Sequence, residues 1–167
     1  MMATQVHEQE LTLADQVVRL ATLNAWLIGI AESCTGGSIS AQISRVSGAS
    51  KVFQGSVVAY ANEPKTSLLG VSKEAILSRG AVSKVVAESM AQGVIPLLGC
   101  NLGIGVTGIA GPGGGNLSKP VGTIFMALAR PGYETIARQY YFEGDRSEIR
   151  QQTIDALFEW LIGLDAS

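Results

Sequence analysis

Residues 26–46 read WLIGIAESCTGGSISAQISRV, and the fold turns on how this stretch is read. Residues 26–31 form a continuous apolar run with no alternation, the pattern of a strand buried on both faces. Residues 32–37 are small or polar and end in Gly36-Gly37, which reads as a turn. Ile39, Ile43 and Val46 then recur at helical spacing, and Ser47-Gly48 closes that helix. A buried strand passing through a tight turn into a helix is the opening unit of a layered α/β domain.

Upstream, Leu13, Val17 and Leu20 share a helical face with Ala14 and Ala21, which predicts a helix over residues 12–23 ended by Asn24. Downstream, residues 55–60 are β-branched and predict a strand. Asn62 reads as an N-cap, with Pro64 in the first turn of a short helix to Leu69. Ser72 and Ser83 are expected to cap two further helices, one stopping at Gly80 and a longer one near Leu98. Residues 102–107 predict a strand, and residues 108–115 form a glycine-rich loop. Residues 121–129 and 135–142 predict two strands joined at Pro131-Gly132, hence an antiparallel pair. A last helix over residues 145–164 presents Ile149, Ala156, Leu157, Trp160 and Leu161. Alternating strands and helices followed by a hairpin predict a single three-layer α/β/α domain with a mixed sheet.

The composition narrows the chemistry. With 167 residues, 47% hydrophobic and 16% charged, the chain is of single-domain size. The net charge is −2 and no Lys/Arg cluster stands out, so nucleic acid is not an expected partner. Glu8, Glu10 and Asp15 occupy the place of a basic n-region, and the apolar run at 25–31 is too short to span a bilayer. A cytoplasmic chain with reduced Cys34 and Cys100 is the expectation. The one histidine, His7, lies in residues 1–10, which are expected to be a mobile tail. A histidine-based triad is therefore disfavoured, and one His with two distant Cys lacks zinc-ligand spacing. A hydrolase built on this chain must draw its base from Lys, Tyr, Asp or Glu.

Four segments hold the candidate chemistry. In the first, Ser33, Cys34, Thr35 and Gly36 stand between a buried strand and a helix, where free N–H groups hold an anion or oxyanion. Ser33 or Thr35 equally suits a plain N-cap, and Cys34 is either a rival nucleophile or a small buried thiol. In the second, Tyr60 ends a strand and Lys65 lies in the first turn of a helix. There the dipole and partial burial would lower the lysine pKa and let it take a proton from serine. A solvated surface lysine is the competing reading. In the third, Thr107, Gly108, Gly111 and Gly113 belong to a loop able to form an anion-binding nest, or merely a flexible connection. In the fourth, Arg146 either clamps a phosphate or carboxylate or pairs with Asp145.

Taken together, AESCTGG at 31–37, Gly55-x-Val-Val-x-Tyr60-x-Asn62-x-x-Lys65, GAVS at 80–83, TGIAGPGGG at 107–115, KPVGT at 119–123 and GDR at 144–146 resemble the CinA C-terminal domain, the PncC-type nicotinamide mononucleotide deamidases. The resemblance implies hydrolysis of the nicotinamide carboxamide to the acid with release of ammonia, without metal or redox cofactor. It carries over Ser33 as nucleophile, Lys65 as its base and Tyr60 as an assisting hydroxyl. Thr35, Gly36, Thr107, Gly108, Gly111, Gly113 and Arg146 are the expected substrate contacts. It further implies a homo-oligomer, a dimer or larger. Many members have a nucleotide pyrophosphatase-like domain in front, and residues 1–25 are too few to hold one. The competing function is a catalytically silent nucleotide-binding or regulatory module.

Overall fold

The computed structural model describes residues 11–164. The N-terminal ten residues, with His7, Glu8 and Glu10, fall outside the described residues, and so does the tail expected there. Helix α1 (Leu13–Leu23) opens with a capping box in which Thr12 and Asp15 satisfy each other's backbone amides. Strand β1 (Ile28–Glu32) is buried along its whole length. It starts two residues later than its apolar run and continues through Glu32, which the sequence pattern places in the turn. Helix α2 (Ser38–Ser44) leads through a 3₁₀ turn (Ala49–Lys51) to β2 (Phe53–Val58). That strand also ends two residues early, so Tyr60 lies in the connection beyond it.

Helix α3 (Asn62–Ser67) has Ala61 at its N-cap position and Asn62 as its first residue, one residue off the expected cap. Helix α4 (Lys73–Arg79) is capped by Ser72, as expected. Helix α5 (Lys84–Leu98) begins after Ser83, whose hydroxyl donates to Gly80 O instead of capping. Strands β3 (Leu102–Gly108), β4 (Thr123–Ala129) and β5 (Ile136–Tyr141) follow. Helix α6 (Arg146–Gly163) begins with a capping box between Asp145 and Glu148. Asp145 therefore caps a helix and does not pair with Arg146.

The five strands lie in the order β2-β1-β3-β4-β5, with β1 parallel to β2 and β3, and β3/β4 and β4/β5 antiparallel. One face is covered by α1, α2 and α6 through Ile30, Ile43, Ile104 and Phe158. The other is covered mainly by α5, through Val86, Met90 and Val94 under Ala31 and through Ala87 and Ala91 under Phe125 and Ala127. This is the expected three-layer sandwich with a mixed sheet.

Helix α5 sits against the backbone of β3. A Cβ on Gly103 or Gly105 would come within 2.1 Å of Ala91 O or 2.2 Å of Ala87 O. Only glycine permits that approach. The chain leaves β1 for β2 on one side and reaches β3 on the other, so the strand order reverses at β1. The carboxyl ends of β1, β2 and β3 then share one edge, and the crevice there is where open α/β sheets bind ligands.

Candidate functional site

At that edge the first residue beyond β1 is Ser33. Its N–H donates to Val106 O at 3.0 Å, which ties the turn to β3, and Gly36 N–H closes the turn onto Ser33 O at 3.0 Å. The turn itself is held by Glu32, whose side chain is fully buried. Its Oε2 accepts from Thr35 Oγ1 at 2.7 Å, Gly37 N at 3.0 Å and Ile39 N at 3.2 Å. Its Oε1 accepts from Ser40 N at 3.0 Å and from the Ser40 and Ser56 hydroxyls. No side chain occupies the N-cap position, because Gly37 stands there in a left-handed conformation. A carboxylate from the preceding strand supplies the acceptors that a serine or threonine cap would have supplied. Neither Ser33 nor Thr35 is the N-cap of α2.

Lys65, on α3, turns inward beneath the end of β2 and is 1% exposed. Its Nζ lies 3.0 Å from Ser33 Oγ and donates to Ala59 O at 2.7 Å, with Tyr60 O and Ala61 O at 3.3 Å. Burial holds its pKa below the ordinary lysine value. The sequence reading invoked the helix dipole as well, but α3 is six residues long and Lys65 is its fourth, so desolvation is the cause. Burial also pushes the neighbouring Cys34 thiol up to about 12. Cys34 therefore stays a neutral thiol and places no negative charge beside the amine.

Ser33 and Lys65 open onto a cavity of about 250 Å³ that is also lined by Tyr60, Thr107, Gly108, Gly111, Gly113 and Arg146. Eight of the ten residues expected in the site thus converge from four segments. Thr35 and Gly36 are not among the lining residues. Thr35 is fully buried with its hydroxyl on Glu32. Gly36 takes a left-handed φ of +59°, and a Cβ there would meet Arg150 Nη2 at 3.3 Å. Both shape the turn and neither faces the cavity.

The remaining wall explains three motifs. Residues 80–83 bring Ala81 and Val82 into the lining. Their backbone is held by three side chains in succession: Lys119 Nζ donates to Arg79 O at 2.6 Å, Ser83 Oγ to Gly80 O at 2.9 Å, and Thr107 Oγ1 to Ala81 O at 2.9 Å. Arg146 reaches back from the start of α6 to Gly111 O at 2.7 Å and to the Tyr60 hydroxyl, joining the glycine loop to the β2–α3 connection. In that loop the N–H groups of Ala110, Gly111, Gly113 and Gly114 meet no acceptor among the described residues, nor do those of Cys34 and Thr35. Such amides are the donors that an anion or oxyanion requires.

Sequence reasoning missed Glu32, Asn62, Ala81, Val82 and Arg150 as functional positions. Asn62 lines the cavity. Arg150, on α6, donates to Thr35 O at 2.5 Å and Ser38 Oγ at 2.6 Å, bracing the turn from behind. An acidic residue ending an apolar run just before a helix with no side-chain cap was the signal for Glu32. Among the described residues, no three His, Cys, Asp or Glu side chains gather as a metal site would need, and no helix is long and apolar enough to cross a membrane.

Comparison with known proteins gives concordant findings. The family model described as the CinA C-terminal domain matches residues 10–164. A CinA-like protein of Syntrophotalea carbinolica is 44% identical over 150 residues, covering 90% of this chain and 36% of that protein. A second, from Thermosynechococcus vestitus, is 47% identical over 135 residues, covering 81% of this chain and 32% of that one. The chain thus spans about a third of the length of these curated relatives. Among solved structures, a competence/damage-inducible protein from Agrobacterium tumefaciens superposes with a TM-score of 0.87 at 36% identity, covering 92% of this chain and 93% of that one. A competence damage-inducible protein from Klebsiella pneumoniae superposes with a TM-score of 0.88 at 29% identity, covering 92% and 95%.

Proposed function

This chain belongs to the CinA C-terminal domain family, and we propose that it is a cytoplasmic amidohydrolase that converts nicotinamide mononucleotide to nicotinic acid mononucleotide and ammonia through a Ser33–Lys65 pair. The observation that carries the reading is the 3.0 Å contact between a buried lysine amine and a serine hydroxyl at the mouth of a cavity.

A neutral amine has two N–H donors and one lone pair. In the resting site the donors face backbone carbonyls, Ala59 O foremost, and the lone pair faces the Ser33 hydroxyl. Ser33 Oγ attacks the carboxamide carbon as its proton passes to Lys65 Nζ. The ammonium so formed has three N–H groups and meets the carbonyls of Ala59, Tyr60 and Ala61. These three acceptors favour the charged amine at the moment it forms, which is the differential stabilisation catalysis requires. The unsatisfied amide of Cys34, which lines the cavity, takes the oxyanion, at roughly 3–4 kcal/mol for a well-placed donor. Lys65 returns its proton to the leaving nitrogen, the C–N bond breaks and ammonia departs. Water then attacks the acyl-serine with Lys65 again accepting the proton; the acyl C–Oγ bond breaks, Lys65 gives the proton to Ser33 Oγ, and the acid is released.

At about 250 Å³ the cavity is at the small end for ligand pockets, so it takes the nicotinamide end, between Val82 and Ile109. The phosphate lies on the free amides of the glycine loop. Arg146 organises that loop through Gly111 and holds the Tyr60 hydroxyl at the cavity rim. The test is ammonia release from nicotinamide mononucleotide. The wild-type chain should turn over and Ser33→Ala should not; a Ser33→Ala protein with near-native turnover would end the proposal. Saturable binding without ammonia would instead identify a silent binding module.

A further inference from the structure

A second cavity, about 380 Å³, lies in the groove between α2 and α6 and shares no lining residue with the Ser33 cavity. Two guanidinium groups line it: Arg45, where α2 ends, and Arg150 on α6. Ser38 and Ser147 add hydroxyls, and Gln42 and Gln151 bridge the groove through a 3.0 Å amide pair. No carboxylate lines it. Acidic groups close by are Asp155, which accepts from Gln151 Nε2 at 2.8 Å, Asp15, which shares the adjoining cavity with Arg45 and Asp155, and Glu32, whose donors around Ser38 are already complete. Arg45 makes no ion pair among the described residues. Arg150 Nη2 is engaged by Thr35 O and Ser38 Oγ, but its Nε is buried and meets no acceptor. A buried donor without a partner is costly and calls for an explanation.

We propose that this groove binds a small phosphate-bearing anion, which acts on the catalytic turn through Arg150. The groove presents two cationic forks and two hydroxyls to one ligand. A phosphate monoester can accept from all of them on three oxygens, whereas a carboxylate is filled by a single fork. Such an anion competes with Thr35 O and Ser38 Oγ for the Arg150 guanidinium, and the buried Nε–H reports the change in its environment. Thr35 follows Ser33 by two residues and directly follows Cys34, whose N–H is the oxyanion donor assigned above. Anion occupancy therefore alters the rate of the chemical step without entering the substrate cavity. The regulatory half of the proposal rests on the amidase reading; the binding half does not.

The arginine Nε–H resonances of the whole chain, followed by ¹⁵N NMR during titration with inorganic phosphate, then ribose 5-phosphate, then acetate, test it. The Arg150 Nε–H signal should shift saturably with both phosphates and far less with acetate. In Arg45→Ala, where the lost side chain is exposed, the phosphate affinity should fall about tenfold or more. In Arg146→Ala the Arg150 response should be unchanged. An Arg150 signal that ignores phosphate, that responds equally in Arg45→Ala, or that is lost in Arg146→Ala overturns the site; the last outcome would put the anion in the Ser33 cavity. In the ammonia assay, phosphate should change kcat for the wild type but not for Arg45→Ala. Binding without a change in kcat refutes the coupling alone. A chain that shows the NMR response but releases no ammonia refutes the amidase reading while leaving the site intact.

Discussion

Two ionisable side chains are buried at the same edge of the sheet, and the protein treats them differently. Around Glu32 the donors are complete: three backbone amides and the hydroxyls of Thr35, Ser40 and Ser56 converge on its two oxygens. Nothing remains for a substrate to contact, and the group is a structural joint between β1 and α2. Around Lys65 there are carbonyls on one side and a single hydroxyl opening to a cavity on the other. Its surroundings contain no carboxylate to neutralise a charge, so burial lowers its pKa. A buried ionisable group whose partners are all fixed structure holds the fold; one whose charge burial disfavours, and whose remaining partner is a hydroxyl open to a cavity, is available for proton transfer.

The sharpest way to break this contrast is to remove each group and measure both activity and stability. Ser33→Ala and Lys65→Ala should each lower kcat by at least about 10³-fold, with the cooperative urea transition retained. Glu32→Ala should do the reverse. It strands the amides of Gly37, Ile39 and Ser40, so the unfolding free energy should fall by about 3 kcal/mol or more in urea titration. If Glu32→Ala were neutral in stability yet inactive, the two roles would have to be exchanged.

The pH dependence sharpens the same point. Lys65 must be neutral to accept the Ser33 proton, and its pKa lies below the ordinary lysine value. The expected kcat/KM profile is therefore flat above that lowered pKa and falls about tenfold per pH unit below it. A profile that declined only as pH rose would mean the charged amine is the active form. A smaller effect is expected at Gly36. Alanine there must adopt a left-handed φ and press its methyl on Arg150 Nη2, so Gly36→Ala should cost about 1–2 kcal/mol in thermal unfolding.

The layered fold was legible because its signals are local. The unbroken apolar run before AESCTGG, the Ser72 cap and the Pro131-Gly132 turn each declare an element within a few residues. Edges were less so: β1 runs on through Glu32 because tertiary donors, invisible to periodicity, let a carboxylate end a buried strand. The site depends on separations of 26 to 115 residues, such as Thr107 to Ala81, Lys65 to Ser33 and Arg150 to Thr35, which no local pattern encodes. Lysine is mostly exposed in proteins, so Lys65 looked like a surface residue on its own spacing. Its helix position made it one candidate base and the motif resemblance singled it out, whereas Thr35 and Gly36, expected as substrate contacts beside the free amides of a helix start, do not line the cavity.

The contact of α5 with Gly103 and Gly105 bears on how this protein can change over generations. With the helix carbonyls 2.1 and 2.2 Å from where a methyl would stand, neither position can drift even to alanine without displacing a helix. Because the Ser33 amide is tethered to Val106 on that same strand, a displaced helix would also carry the nucleophile out of register with its amine. Saturation mutagenesis should therefore find these two featureless residues, which touch no ligand, among the least replaceable in the chain, while the cavity's rim accepts variation more freely.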